Sequence, residues 1–260
     1  MRALLMLSLC LLSACHINKD PGIRGPKSQG PEPTLGAAWS LPGDWASMPP
    51  QLFEQLVLKA LPETQLTPLS REHLERLANA LNQMDASSVR AAVILGRSRT
   101  DAAGQVLLRR LFVGESGPNR NSDAGDVTAA GALARFPEPQ RYWRLVRLVY
   151  GPRPHPDLEV RVECAVSALH AGIDRVIPFL LQVLRIGTPD GRRDALDFEV
   201  PETTAWARGR AAEALSRRAG VELVFHPDAS LQARQAEVRK LAALLQSAIE
   251  NATEVDYRKR

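Results

Sequence analysis

The chain has 260 residues, 45% hydrophobic and 24% charged, values that exclude wholesale disorder and leave ample length for a core. Three cysteines are too few for a disulfide scaffold, and a net charge of +4 is too small a basic excess to point to nucleic acid. Aromatic residues make up only 5%, while alanine, leucine and arginine dominate, a mixture that favours helix over sheet.

At the start of the chain Met1-Arg2 supplies a positive charge, and residues 3–12 form an almost unbroken apolar run. That is half of the roughly 20 residues a membrane-spanning helix needs, and it has the proportions of the core of an export signal. The run ends in Leu12-Ser13-Ala14-Cys15. These four residues resemble the lipobox of bacterial lipoprotein signal peptides; the alternative is an ordinary secretory signal that happens to contain a cysteine. The resemblance implies cleavage between Ala14 and Cys15, loss of residues 1–14, and a diacylglyceryl group on the Cys15 sulfur. Cys10 would leave with the signal, so Cys164 would be the one thiol beside the lipidated Cys15, and no intrachain disulfide would form. His16 stands where the family's sorting pattern uses Asp to retain lipoproteins in the inner membrane. The implied destination is the outer membrane, facing the periplasm.

Residues 16–50 contain seven prolines and five glycines and show no apolar periodicity. With Cys15 they read as a tether, 15–50, too rich in proline to hold a helix. Trp39 and Trp45, in its last part, are expected to fold back onto the first helices of the body, the alternative being a short recognition segment for a partner. From residue 51 the pattern changes to that of a helix. Leu52, Phe53, Leu56 and Ala60 are expected to share a buried face. Leu74, Leu77, Ala78 and Leu81 follow the i, i+3, i+4, i+7 pattern behind Ser70 as N-cap. Tyr142, Leu145, Val146 and Val149 repeat it, as do Ile177, Leu180, Leu181 and Leu184 behind Asp174 as cap. Val238, Leu241, Ala242 and Leu245 complete the series. Residues 105–113 are ambiguous between helix and strand, and the polar, Gly-rich stretch 115–126 reads as a loop. The fold class is all-α, with a helical body over 51–250 and a short basic tail at 251–260.

Between these helices lie four Ala-rich segments that resemble one another. They are Val89-Arg90-Ala91-Ala92-Val93-Ile94-Leu95, Val127-Thr128-Ala129-Ala130-Gly131-Ala132-Leu133, Val160-Arg161-Val162-Glu163-Cys164-Ala165-Val166, and Arg208-Gly209-Arg210-Ala211-Ala212-Glu213-Ala214-Leu215. From Ala91 to Ala129, Cys164 and Ala211 the steps are 38, 35 and 47, the last enlarged by an insertion at 187–203. Over about residues 85–250 this resembles HEAT-repeat proteins. The resemblance implies antiparallel helix pairs stacked as a short α-solenoid, an irregular helical bundle being the alternative. The second segment departs from the pattern, with Val127-Thr128 where the first and third have a Val-Arg pair. Cys164 falls among the small residues and reads as a packed core thiol.

Chemistry leaves little local trace. His16, His73, His155, His170 and His226 show no metal-ligand spacing and read as surface or turn residues, and no nucleophile elbow, phosphate loop or paired-carboxylate signature is present. No metal or cofactor is therefore expected. Arg141, Arg144 and Arg147 recur at three-residue steps beside the Tyr142 stripe, and Arg192, Arg193, Arg208, Arg210, Arg217 and Arg218 form a second basic group. Such a set is either a solvated face interleaved with Glu or an interaction surface, for which Arg141, Arg144, Arg147, Arg208 and Arg210 are the candidates. The leading expectation is a non-enzymatic, membrane-anchored protein-interaction scaffold of the cell envelope. Its partners would be envelope proteins or anionic envelope polymers, with no nucleic acid and no small-molecule substrate. The alternatives are an envelope enzyme with an inter-helix site using His170 or Glu163, and a carrier of lipid or lipoprotein with an apolar groove.

Overall fold

The computed structural model describes residues 40–61, 66–112, 123–136, 139–186 and 202–257, which fall within one compact unit, Ala38–Arg260. Among them there is no strand; eleven α-helices carry the architecture. A short helix α1 (Pro50–Phe53) runs into a π-helical turn, Glu54–Leu58, closed by the Lys59 amide donating to the Glu54 carbonyl at 3.0 Å. The widened turn selects Phe53, Val57 and Leu61 as the buried face, four residues apart. Of the residues expected inside, Leu52 and Leu56 are 38% and 49% exposed and Ala60 is exposed too, so Phe53 alone points inward.

The next helices begin where the sequence supplies caps. Ser70 accepts the His73 amide at the head of α2 (Arg71–Leu81), Asp85 accepts the Ser87 amide before α3 (Ala86–Ser98), and Thr100 accepts the Ala103 amide before α4 (Asp101–Leu111). The cap at Thr100 settles the ambiguity of residues 105–113, which are helical as far as Leu111 and lie outside the described residues at 113. Asp123 and Asp126 form a capping box for α5 (Ala124–Ala132), so the expected loop 115–126 ends before its last three residues. After a 3₁₀ turn, Leu133–Arg135, come α6 (Pro139–Tyr150) and then α7 (Leu158–His170) behind Asp157. Asp174 does not cap α8 (Ile177–Arg185): it opens a separate 3₁₀ turn, Asp174–Val176, and its carboxylate binds Arg218 at 2.6 and 2.7 Å. Three more helices, α9 (Glu202–Ala219), α10 (Leu231–Leu244) and α11 (Gln246–Tyr257), follow, so the expected tail at 251–260 is helical through Tyr257.

The four Ala-rich segments are α3, α5, α7 and α9, and each packs on the next: α3 on α5, α5 on α7, α7 on α9. Small residues allow that approach. A Cβ added to Gly96 of α3 would lie 2.7 Å from the Ala132 Cβ of α5, and the buried Ser167 hydroxyl of α7 donates to the Ala130 carbonyl of α5 at 2.7 Å. The other helices flank this row: α2 packs on α3, α4 on α3 and α5, α6 on α7, α8 on α7 and α9, and α10 on α8. The expected apolar stripes are buried throughout on α6 (Tyr142, Leu145, Val146, Val149) and α8 (Ile177, Leu180, Leu181, Leu184), whereas Leu74 and Ala78 on α2 and Ala242 on α10 are half-buried beside buried Leu77, Leu81, Val238, Leu241 and Leu245.

At its beginning the body takes in part of the proline-rich segment. Leu41, Trp45 and Met48 are buried in the core, the inward fold expected of Trp45; Trp39 lies outside the described residues. Arg90 of α3 fixes this segment, donating to the carbonyls of Trp45, Ala46 and Met48 at 3.1, 2.8 and 2.5 Å while lying over the Phe53 ring.

Glycines test the packing directly. Gly96→Val, which wedges a branched side chain between α3 and α5, is expected to lower stability by about 2–3 kcal/mol in urea unfolding. Gly209→Ala in α9, where the nearest atom to a new Cβ is 3.9 Å away, is expected to raise it by about 0.5–1 kcal/mol.

Candidate functional site

Charged residues enter the interior at the junctions between helices, and their partners show what they do there. Arg161, early in α7, donates to the Val149 carbonyl near the end of α6 at 3.1 Å and lies over the Phe179 ring. Arg208 in α9 donates to the Ile186 carbonyl after α8 and to the Pro227 carbonyl at 2.8 Å. Arg234 of α10 reaches the Leu184 and Ile186 carbonyls from the other side. Burial lowers the pKa of Arg90, Arg161 and Arg208, because carbonyl oxygens bring only partial charges to offset desolvation. At α5 the polarity is reversed. Asp126 stands in the first turn of that helix, and the cation comes from the preceding helix as Arg110, 2.6 Å from Asp126 and 3.0 Å from Asp123.

A second network joins α7 to α9. Glu163, with 4% of its side chain exposed, receives Arg210 through two bonds of 2.5 and 3.3 Å and lies against Gly131 of α5. Arg210 also binds Glu213, which binds Arg217, whose guanidinium is 2.7 Å from His170 Nε2. Burial disfavours the Arg210 charge, but Glu163 and then Glu213 outweigh it and hold the pKa above its ordinary value. Partial burial of the ring, with Arg217 and Arg210 beside it, lowers the pKa of His170. Glu163 and His170, the two candidates for chemistry, thus belong to one chain of structural pairs. Cys164 is fully buried, and burial pushes its thiol pKa well up, as a packed core thiol requires.

The basic candidates separate in the same way. Arg208 is 2% exposed and serves as a clamp, which removes it from any interaction surface. Arg210 is engaged inside the α7–α9 junction. Arg144 and Arg147 are exposed on α6, Arg144 with its guanidinium 4.9 Å from the Phe112 ring centre. The side chain of Arg141 lies outside the described residues, as do Arg192, Arg193, His16, Ala14 and Cys15. Among the other histidines, His226 is exposed and His73 half-buried, whereas His155 sits in a turn but is buried at 8% exposure. The His155 Nδ1 accepts the Asp157 amide, and burial lowers its pKa against the opposing pull of Asp126 and Asp157.

Cavities lined by described residues lie on the surface of the body. One, of about 330 Å³, is lined by Arg99, Arg135, Tyr142, Trp143 and His170, where the ends of α3, α5 and α7 meet the start of α6. At the ends of α7 and α9 the chain turns through Gly172 and Gly220 with φ of 82° and 68°; at the end of α3 the left-handed position is held by Arg99 with φ 54°. The Arg99 Nε donates to the Arg135 carbonyl at 3.2 Å across the cavity wall. A wider groove of about 710 Å³ runs between α2 and α4 past Leu74, Asn79, Gln105 and Arg109. Neither was visible in the sequence, because each is assembled from helices that are not all consecutive in the chain. Among the described residues no cluster of His, Cys, Asp or Glu is placed to hold a metal, and no helix is long and apolar enough to cross a membrane.

Breaking the buried pair separates structural from functional roles. Arg210→Met, which leaves the Glu163 carboxylate buried without its partner, is expected to lower stability by about 3 kcal/mol in urea unfolding. Combining it with Glu163→Leu is expected to restore most of that loss. His155 sets a pH dependence. Its folded pKa lies below the unfolded value of 6.5, so the unfolded chain takes up the proton first and stability declines as pH falls through that value. His155→Gln is expected to flatten the decline of the urea midpoint between about pH 7 and pH 5. Comparison with protein-family models, with curated proteins and with solved structures finds no match to this chain.

Proposed function

We propose that this chain is a lipid-anchored, HEAT-like helical-repeat protein of the cell envelope that serves as a non-enzymatic interaction scaffold. The observation that carries the reading is the row α3, α5, α7, α9, in which the four mutually similar segments pack in chain order, each on its neighbours. Flanking helices complete each step, which is the arrangement that lets repeat pairs share one continuous core. The interior charges support a scaffold over an enzyme. Glu163 is held by Arg210, the Cys164 thiol is kept protonated by burial, and Arg90, Arg161 and Arg208 hold carbonyls.

The anchor is assigned to Cys15 on the strength of Leu12-Ser13-Ala14-Cys15. Two or three acyl chains on and near that residue hold a protein stably at a bilayer, because each buried methylene contributes about 0.8 kcal/mol. Residues 16–40 then give the body its reach from the membrane, and its partners are other envelope proteins or anionic envelope polymers. In cells, the wild-type chain is expected in the membrane fraction, beginning at a diacylglyceryl-modified Cys15 by mass spectrometry. Cys15→Ala, or treatment with globomycin, is expected to leave the unprocessed precursor or a soluble product. An intact Met1 on a freely soluble wild-type protein would overturn the anchor.

A further inference from the structure

The core takes Tyr142, Leu145, Val146, Leu148 and Val149 from α6 and leaves Trp143, Arg144, Arg147 and one face of Tyr150 outward, the Tyr150 ring resting edge-on against Phe179 with its hydroxyl accepting the Phe179 amide at 2.8 Å. At 3.6 residues per turn these four occupy about a third of the helix circumference, with Trp143 and Tyr150 about 10.5 Å apart along the axis and Arg147 between them. The two rings are 44% and 42% exposed. The helix holds no Asp or Glu in its twelve residues, and neither Arg144 nor Arg147 has a carboxylate partner among the described residues. The arginines of α9 differ in kind: Arg210, Arg217 and Arg218 are each bound by a carboxylate of the fold. The expectation of a basic face interleaved with Glu therefore suits α9 and does not suit α6.

Tryptophan, tyrosine and arginine are the residues that dominate binding energy when an interface covers them. The scaffold reading leaves open which face is used, and the α6 stripe supplies the answer. We propose that Trp143, Arg147 and Tyr150, with Arg144 at their edge, dock an acidic amphipathic segment of a partner protein. Its carboxylates meet the two arginines, and its apolar side chains cover the two rings. A simple polyanion answers the arginines alone and leaves both rings in water, which is why a protein segment fits this surface better. The inference deepens the scaffold reading and rests on it.

The test uses the full chain, purified in detergent, and three probes. These are a fluorescein-labelled helical peptide of about 20 residues with Glu and Leu on opposite faces, polyglutamate of equal length, and phosphatidylglycerol vesicles. The peptide is expected to bind in fluorescence anisotropy, more weakly as salt rises. Arg147→Glu is expected to weaken it by about tenfold or more and Trp143→Ala by about fivefold, with Arg109→Glu on α4 without effect. Both test positions are exposed, and circular dichroism melts check that the variants stay folded. Equal affinity for polyglutamate, binding of the vesicles alone, or peptide binding indifferent to both substitutions would each overturn the assignment. A photo-crosslinking residue placed in cells at position 147, and separately at 109 and 226, distinguishes the two levels of inference. Partners captured elsewhere but not at 147 overturn this surface and leave the scaffold standing, whereas capture at none of the three overturns both.

Discussion

Helices lined with alanine, glycine, serine and cysteine approach one another closely, and close approach surrounds backbone groups with protein instead of water. In the row α3, α5, α7, α9 this is seen where Gly96 meets Ala132 and where the Ser167 hydroxyl reaches the Ala130 carbonyl. The carbonyls at the ends of the neighbouring segments are drawn into the same dry surroundings, where a helix end without partners is costly. Arginine meets that need from a distance. Its long apolar stem crosses the packed layer and its guanidinium delivers several donors while remaining charged. Arg90, Arg161 and Arg208 each do this, at the start of the body, near the end of α6 and just after α8.

This gives a physical meaning to the Val-Arg pair shared by the first and third Ala-rich segments, and to its loss in the second. Arg90 and Arg161 are the arginines of those pairs: Arg161 holds the end of the helix before its own, and Arg90 holds the stretch from Trp45 to Met48 that precedes α1. In α5 the residue in the first turn is Asp126, and Arg110 of the preceding helix donates to it. The junction remains a charge-assisted contact, with the cation moved to the other partner. At the position of those arginines α5 carries Thr128, whose hydroxyl donates to the Ala124 carbonyl of its own helix, while the contact between helices is made by Arg110.

Helix existence was legible in the sequence because spacing and caps act locally: Ser70, and the stripes on α2, α6, α8 and α10, needed no tertiary knowledge. Where a local rule met a tertiary demand, the latter prevailed. The π turn after Phe53 carried Val57 inward in place of Leu56, and Arg218 drew the Asp174 carboxylate away from capping. The destinations of the arginines were the least legible part. Arg208 and Arg147 are the same residue type on similar helices, yet one is clamped inside by carbonyls 19 and 22 residues away in the chain and the other faces water. Periodicity reports which side of a helix is apolar, but not whether a long side chain at its margin finds an acceptor. The cavities and the aromatic character of the α6 face depend on the same non-local placement.

The carbonyl of Ile186 accepts from Arg208 of α9 and from Arg234 of α10, while Arg234 also holds Leu184. The last turn of α8 is thereby moored to two later helices before the chain enters residues 187–201. Lengthening a connection adds only about 0.6 kcal/mol of closure entropy per doubling. Insertions and deletions in that stretch can thus accumulate without sliding α8 along its neighbours. The position of α8 is thereby set by the body itself and not by the length of the chain that follows it.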